Sequence, residues 1–465
     1  MASRIDRIYA RLPVFAQDLA ISVQGWRFRR ARFGGAFRDH LAAAERDAKL
    51  DPGALARLQL SRLQAFVAHA YDQSPFYRAK YDAAGVHPRD LVSLEDIRRF
   101  PPLEKEELRS HTSEIQARST IGMQGLQAVS TSGTTGTPIR VAYTPEDTQR
   151  RFAYLYRMLR RFGIQPSSRS VRFSGRTLFP SAERNGIFWR HNHAANQLLM
   201  STYHMTPANL DAYVEKLQSF APEMLDGYPS AIFLLARHVN RRGMAGTIAP
   251  RLIMTTAETL EDFQREEITC AFPGSRIGNQ YASSEGAPFV TEDEFGELIL
   301  NTDTGLIETA DGSPEGEMLV TSFTTHAFPL IRYRIGDTIA FEPGRLARSM
   351  AMPVVKAITG RQEDLIVSPD RGPVGRLDPV FKKMPSTIVE SQIEQVSESR
   401  VALRVVPDMT AGYRRDQLAS VIDELEARLG RMEIEVQEVD TLERGANGKL
   451  RAVKGIAMRS LTASG

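Results

Sequence analysis

From Pro52 to Tyr81 the apolar residues Leu55, Leu58, Leu63, Phe66 and Val67 recur near a 3.6-residue period, which predicts helix. Ser74-Pro75-Phe76-Tyr77 interrupts that pattern, and Pro101-Pro102 closes the next segment. Farther on, Asp147 to Phe162 reads as a helix, while Ser170 to Phe173 and Leu252 to Thr255 read as strands. Helical patterns around Asn209 to Phe220 and Ala231 to Arg242 lie between them. Alternation of this kind predicts a layered α/β domain. From Gly296 to Phe341 the character becomes β, with strand candidates at Glu297 to Leu300, Glu317 to Thr321 and Asp337 to Phe341. A boundary is expected near Gly360 to Asp364, dividing residues 1–363 from 364–465. Beyond it, a turn at Asp370-Arg371-Gly372-Pro373 precedes strands within Ser391 to Val406, a helix over Arg415 to Leu429 and a strand over Met432 to Val439. That is a compact α+β unit of ordinary small-domain size.

The N-terminal stretch departs from these patterns. Trp26, Phe28, Phe33 and Phe37 interleave with Arg27, Arg29, Arg30, Arg32 and Arg38. Two readings stand: an arm whose aromatics pack on the body while its arginines face water, or attachment to an anionic membrane surface or a phosphate-rich polymer.

Composition narrows the choices of function. The chain has 465 residues, with 59 Lys+Arg against 56 Asp+Glu and a net charge of +3, too small a basic excess for a general nucleic-acid surface. No stretch approaches the length of a membrane span and no secretory signal is visible, so a cytoplasmic address is expected. The lone Cys270 excludes an internal disulfide and reads as a small core residue.

The segment Ser130-Thr131-Ser132-Gly133-Thr134-Thr135-Gly136-Thr137-Pro138 carries the most chemical information. Hydroxyls and exposed backbone N–H groups are donors for phosphate oxygens, and glycines let the backbone approach a ligand closely. A loop around a polyphosphate is the functional reading, and a polar linker is the plain one. No Lys follows Gly136 as it would in G-x-x-x-x-G-K-[ST], so the cation must be a metal ion or a distant Lys or Arg.

Thr131 to Pro138 resembles the phosphate loop of the adenylate-forming enzymes, the superfamily of acyl- and aryl-CoA ligases. Four further motifs follow in that superfamily's order: Tyr281-Ala282-Ser283-Ser284-Glu285, Tyr333-Arg334-Ile335-Gly336-Asp337, Gly360-Arg361-Gln362-Glu363-Asp364 and Asn447-Gly448-Lys449. Pro75-Phe76-Tyr77-Arg78 and Ala257-Glu258 resemble the phenylacetate–CoA ligase branch. Gly227-Tyr228-Pro229-Ser230 and Val374-Gly375-Arg376-Leu377-Asp378 are similar to CapK-type proteins of capsular polysaccharide biosynthesis.

The resemblance implies a large domain with a layered α/β body and a small β subdomain, closed by a small mobile α+β lid. It implies ATP, Mg²⁺ and CoA as reactants and cofactors, and an acyl-adenylate intermediate. Ser132, Gly133, Thr134, Thr135, Gly136 and Thr137 would hold the β- and γ-phosphates, with Thr134 among the catalytic groups. Glu285 would bind Mg²⁺ beside Ser283 and Ser284; a helix N-terminal role for it is the alternative. Tyr281 would stack on adenine, with Ala257 and Glu258 on its other side. Asp337 would accept from the ribose hydroxyls, and Arg361 would reach the ribose or α-phosphate near a hinge at Asp364. Lys449 would be delivered to the α-phosphate as the lid closes.

The acid pocket is expected between Phe173 and Pro207, with Tyr228, Pro229 and Ser230; His193 is its polar candidate, and His191, His204 and Tyr203 lie in the same stretch. The acyl acceptor is CoA on one reading and an amine on a sugar, an amino compound or a carrier protein on another. A third reading is a non-catalytic nucleotide-binding scaffold. A homodimer is a further expectation of the resemblance.

Overall fold

The computed structural model describes residues 9, 11–130, 140–174, 186–206, 208–359, 366–370, 372–374, 377, 380–381, 383–385, 387–444 and 450–455. Four helices open the chain: α1 (Val14–Phe33), α2 (Phe37–Asp47), α3 (Pro52–Gln73) and α4 (Pro75–Ala83). The pattern predicted across 52–81 becomes two helices. Asp51 caps α3 with Pro52 in its first turn, and the Ser74 hydroxyl accepts from Tyr77 N to start α4. Leu55, Leu63, Phe66 and Val67 are buried as their spacing predicts. Tyr77 locks α4 to the body: its hydroxyl donates to Pro329 O (2.8 Å) and accepts from Ile331 N (3.2 Å).

A two-stranded hairpin, β1 (Gln127–Ser130) and β2 (Arg140–Tyr143), pairs Ser130 with Arg140. Residues 131–139 between them, which carry the phosphate-binding expectation, lie outside the described residues. Helix α5 (Pro145–Arg161) starts slightly before its predicted position, because Thr144 and Asp147 form a capping box and Pro145 suits the first turn.

One sheet of twelve strands forms the body. Its parallel half contains β3 (Ser170–Ser174), β5 (Gln197–Ser201), β6 (Met224–Gly227), β7 (Leu252–Thr256) and β8 (Arg276–Tyr281), edged by the antiparallel β4 (Trp189–Asn192). Helices α6 (Leu210–Phe220), α7 (Pro229–Arg241) and α8 (Asp262–Ala271) make the crossovers. These strands read as unbroken apolar runs because helices cover both faces; Val171, Leu198, Leu225 and Ile253 are fully buried.

Direction reverses at β8, which pairs antiparallel with β9 (Val290–Glu292). From there β10 (Leu298–Leu300), β11 (Gly305–Thr309), β12 (Glu315–Ser322), β13 (Tyr333–Leu346) and β14 (Pro353–Thr359) continue the same sheet. The β-rich stretch is therefore an extension of the α/β body.

The C-terminal region has its own core. A hairpin, β15 (Ile366–Ser368) and β16 (Gly372–Val374), precedes a four-stranded sheet of β17 (Ile388–Ser397), β18 (Arg400–Pro407), β19 (Glu433–Glu438) and β20 (Val453–Lys454), in the order β19-β18-β17-β20. Helix α9 (Ala419–Leu429) packs Val421, Leu425 and Leu429 against it. The boundary expected near Gly360 to Asp364 lies outside the described residues.

Cys270 corrects the sequence reading. Helix α8 buries Gln264, Ile268 and Ala271, and a residue two positions after Ile268 points away from that face, so Cys270 is exposed.

Candidate active site

The carboxyl ends of β6, β7 and β8 and the middle of β13 meet along one edge of the sheet, where parallel α/β sheets bind ligands. Tyr281 ends β8, and its hydroxyl donates to Asp337 Oδ2 of β13 at 2.7 Å. An aromatic face and a carboxylate, 56 positions apart in the chain, are thus held in a fixed relation. Gly336 gives β13 the turn that presents Asp337: its φ is +89°, a conformation costly for a residue with a Cβ.

The Glu285 segment is held from several sides. Ser283 Oγ accepts from Gly286 N and Ala287 N, both at 3.1 Å, and Tyr143 donates to Ser284 O at 2.7 Å. Arg151 donates to Gly286 O (3.1 Å) and Thr324 Oγ1 (2.8 Å). Gly286, at φ +104°, has no room for a side chain, since a Cβ would lie 2.5 Å from Thr325 Cγ2 and 2.8 Å from the Tyr143 hydroxyl. These residues form a turn leading to β9, so Glu285 does not cap a helix. Its side chain is buried, and among the described residues its carboxylate makes no hydrogen bond or ion pair. Among those residues there is also no cluster of three His, Cys, Asp or Glu that could cage a metal. A lone buried carboxylate suits Mg²⁺, which binds through one or two carboxylates together with phosphate oxygens and water.

Ala257 follows β7 at φ +72°, an uncommon conformation for a non-glycine residue and one that turns the chain sharply into Glu258. The Glu258 carboxylate joins two regions. Oε2 accepts from Ser230 N (3.2 Å) at the start of α7, and Oε1 accepts from Leu450 N (3.0 Å) in the C-terminal region. Burial raises its pKa, while Ser230 and the charge of Arg444 partly offset the shift. Leu450 directly follows Lys449 in the chain. Lys449, Arg361 and the expected phosphate-binding residues Ser132, Gly133, Thr134, Thr135, Gly136 and Thr137 lie outside the described residues.

Further contacts bind the C-terminal region to the body. Arg237 of α7 donates to Pro385 O (2.9 Å) and Val389 O (3.3 Å), Arg241 pairs with Asp408 (2.9 Å), and Phe263 stacks on Phe381 at 5.5 Å. Val389, Val406, Leu442 and Leu450 join the apolar core beside β6 and α7. Arg444 pairs with Glu390 at 2.5 Å, with only 9% and 12% of their side chains exposed.

Tyr228, Pro229 and Ser230 lie where β6 turns into α7, on the same edge as Glu258. The structure does not bring His193 there. Asn192 pairs with Gln197, the first residue of β5, so His193 sits at the opposite edge of the sheet, where the parallel strands begin. Its backbone N–H donates to Ser22 Oγ of α1 (3.0 Å), and its ring lies 3.8 Å from that of His191, whose pKa is lowered by burial and then by this neighbour. His204, just past the carboxyl end of β5, is on the ligand edge instead. Its Nδ1 lies 2.8 Å from Ser201 Oγ, and it stacks on Phe188 at 5.6 Å. Spacing alone could not separate these two histidines; the direction of β4 does.

The fold and this cleft define the class: an adenylate-forming α/β ligase with a small C-terminal domain against its site edge. The CapK C-terminal domain family matches residues 366–455. Protein CapK of Staphylococcus aureus is 30% identical over 395 residues, covering 84% of this chain and 86% of that one. Phenylacetate-coenzyme A ligase of Escherichia coli (strain K12) is 30% identical over 340 residues, 69% of this chain and 75% of that one. A 2-hydroxyisobutyryl-CoA ligase in its postadenylation state shares the fold, with a TM-score of 0.68 over 90% of this chain and 93% of that one at 19% identity. The chain belongs to the CapK and phenylacetate–CoA ligase family of adenylate-forming enzymes.

Proposed function

We propose that this enzyme activates a carboxylic acid with ATP and Mg²⁺ and passes the acyl group to CoA. The observation that carries this reading is the convergence of Tyr281–Asp337, the buried Glu285 and the Glu258–Leu450 contact along one sheet edge. In the first step a carboxylate oxygen of the acid bonds to the α-phosphorus, the bond from that phosphorus to the α,β-bridging oxygen breaks, pyrophosphate leaves with its electron pair, and acyl-AMP forms. In the second, the CoA thiolate attacks the acyl carbon and AMP departs with the electron pair of the broken C–O bond. Tyr281 and Asp337 would hold adenosine, and Glu285 would hold the Mg²⁺ that neutralises the phosphate charge. Ser132 to Thr137 would hold the polyphosphate, Ala257 and Glu258 the adenine side, and Arg361 the ribose or α-phosphate. Lys449 would stabilise charge on the α-phosphate, from a position next to the anchored Leu450. Tyr228, Pro229 and Ser230 would border the acid, with His204 taking the place expected for His193.

An amine acceptor is the second reading. It rests on the likeness to CapK-type proteins, whose C-terminal domain family matches residues 366–455. The test is acid-dependent ATP–pyrophosphate exchange over aryl, fatty and amino acids, with Lys449→Ala alongside, followed by CoA and amine acceptors. Exchange lost in the variant supports adenylation. Failure of the whole panel together with no ATP binding overturns it.

A further inference from the structure

Helix α1 presents its faces in the reverse of the usual order. An ordinary surface helix turns its apolar stripe to the core and its polar side to water. Here much of the body-facing side is polar. Gln17 accepts from Arg190 Nε, Asp18 accepts from His191 N at 2.9 Å, and Ser22 accepts from His193 N at 3.0 Å. Gly25 allows the close approach, because a Cβ there would lie 2.1 Å from Asn192 Oδ1.

The solvent-facing side, which borders Ser22, carries Phe15, Leu19, Val23 and Trp26, which are 75%, 65%, 51% and 55% exposed, with Leu12 just ahead of the helix at 37%. Steps of three and four residues place these side chains in one stripe, about 17 Å long from Phe15 to Trp26 at ~1.5 Å per residue. No helix among the described residues is long and apolar enough to cross a membrane, so this one would lie flat.

Charge indicates the partner. Between positions 11 and 38 the chain has Arg11, Arg27, Arg29, Arg30, Arg32 and Arg38 against the single acid Asp18, which is turned inward. Arg11, Arg27, Arg30 and Arg38 are exposed. At the Trp26 end the stripe runs into a groove of about 750 Å³ whose lining includes Arg29, Arg30 and Arg38 together with Phe33 and Phe37. Phe33 and Phe37 pack on Phe152 and Tyr156, as an arm bound to the body would, but Trp26 does not. A second copy of the chain placed on this face by a two-fold axis would set arginines against arginines.

We propose that this face docks on an anionic phospholipid bilayer, with Phe15, Leu19, Val23 and Trp26 in the interfacial layer and the flanking arginines on lipid phosphates. The proposal is independent of the acyl chemistry. Its test uses the full chain with Trp189→Phe, so that Trp26 is the sole tryptophan. The probes are vesicles of phosphatidylcholine alone and of phosphatidylcholine with phosphatidylglycerol. Co-sedimentation and a blue shift of Trp26 emission are expected only with the anionic vesicles, weakening as salt rises. Arg27→Gln and Arg30→Gln should each lower the partition coefficient about fivefold. Phe15→Ser with Leu19→Ser should abolish binding while the circular dichroism spectrum and melting temperature stay unchanged. Equal binding to both vesicles, no binding to either, or binding that survives the Phe15 and Leu19 changes would overturn the proposal. So would concentration-dependent dimerisation in solution that those changes remove, which would assign the stripe to a second copy.

Discussion

The large-domain wall of the cleft is braced from within. Tyr281 is bonded to Asp337 across the twelve-stranded sheet, while Tyr143 of the β1–β2 hairpin and Arg151 of α5 fix the turn at Ser284 and Gly286. The C-terminal wall is held across an interface by a small set of bonds: Glu258 to Leu450, Arg237 to Pro385 and Val389, and Arg241 to Asp408. The first arrangement preorganises a site. The second rests on these few polar bonds and on an apolar seam of Val389, Val406, Leu442 and Leu450, so releasing it would expose that seam while the sheet of each unit stays paired. One wall therefore suits holding a nucleotide, and the other suits delivering and withdrawing a catalytic group.

The largest effect is expected from disturbing the lid's own support. Arg444→Ala removes one partner of a buried ion pair and leaves Glu390 uncompensated, which should destabilise the C-terminal domain by about 3–5 kcal/mol. Urea unfolding of the full chain should then show the lid melting before the body. A single shared transition at the parent midpoint would mean that the pair does not hold the lid together. On the braced wall, Glu285→Gln should reduce ATP–pyrophosphate exchange by ~10²- to 10³-fold, the typical cost of removing one preorganised electrostatic group. Excess Mg²⁺ should recover part of the loss. A Mg²⁺-independent defect of the same size would argue against a metal-holding role.

Glu258→Gln tests the contact between the two walls. A carboxylate accepts both N–H groups, whereas an amide turns its NH₂ toward one of them. Losing a bond to a charged group is worth about 1.5–3 kcal/mol, so exchange should fall by about one to two orders of magnitude. ATP binding to the large domain should change little. The pH dependence has a defined sign. Burial raises the Glu258 pKa above 4.5, so its contribution to stability is full below that value and is lost as pH rises through the raised one. The melting temperature of the Gln variant relative to the parent should therefore improve as pH rises from about 4.5 toward neutrality. A difference that is flat with pH would mean that the docked carboxylate is not desolvated.

Much of this organisation is legible in the chain. Strand and helix periodicity place β3, β7, α6, α7 and α9 within a few residues, since each carries a clear apolar face or run. Tyr281, Glu285 and Asp337 stand out only through the motifs that resemble the adenylate-forming enzymes, and the structure puts the first at the end of β8, the second in the turn before β9 and the third within β13. The Glu258–Leu450 bond spans 192 positions and joins two units, so no local pattern encodes it. Arg151, which steadies the Glu285 turn, reads in sequence as one more arginine on a basic helix. The inward polar side of α1 was hidden for a related reason: Gln17, Asp18 and Ser22 look like solvent residues until β4 supplies their partners.

The smallest expected effect bears on the acid side of the braced wall. His193 and His204 are eleven positions apart in one histidine-rich stretch, yet the antiparallel turn of β4 sends them to opposite edges of the sheet. His193→Ala removes a ring packed on His191, while its backbone bond to Ser22 remains. Exchange kinetics should stay at the parent level, with stability within about 0.5 kcal/mol, as for most surface positions. His204→Ala leaves Ser201 Oγ without that partner at the ligand edge, so it should raise KM for the acid several-fold and leave KM for ATP unchanged. If the two variants exchanged roles, the acid pocket would have to open toward the strand beginnings, away from Glu258, and the two-wall arrangement would no longer describe the site.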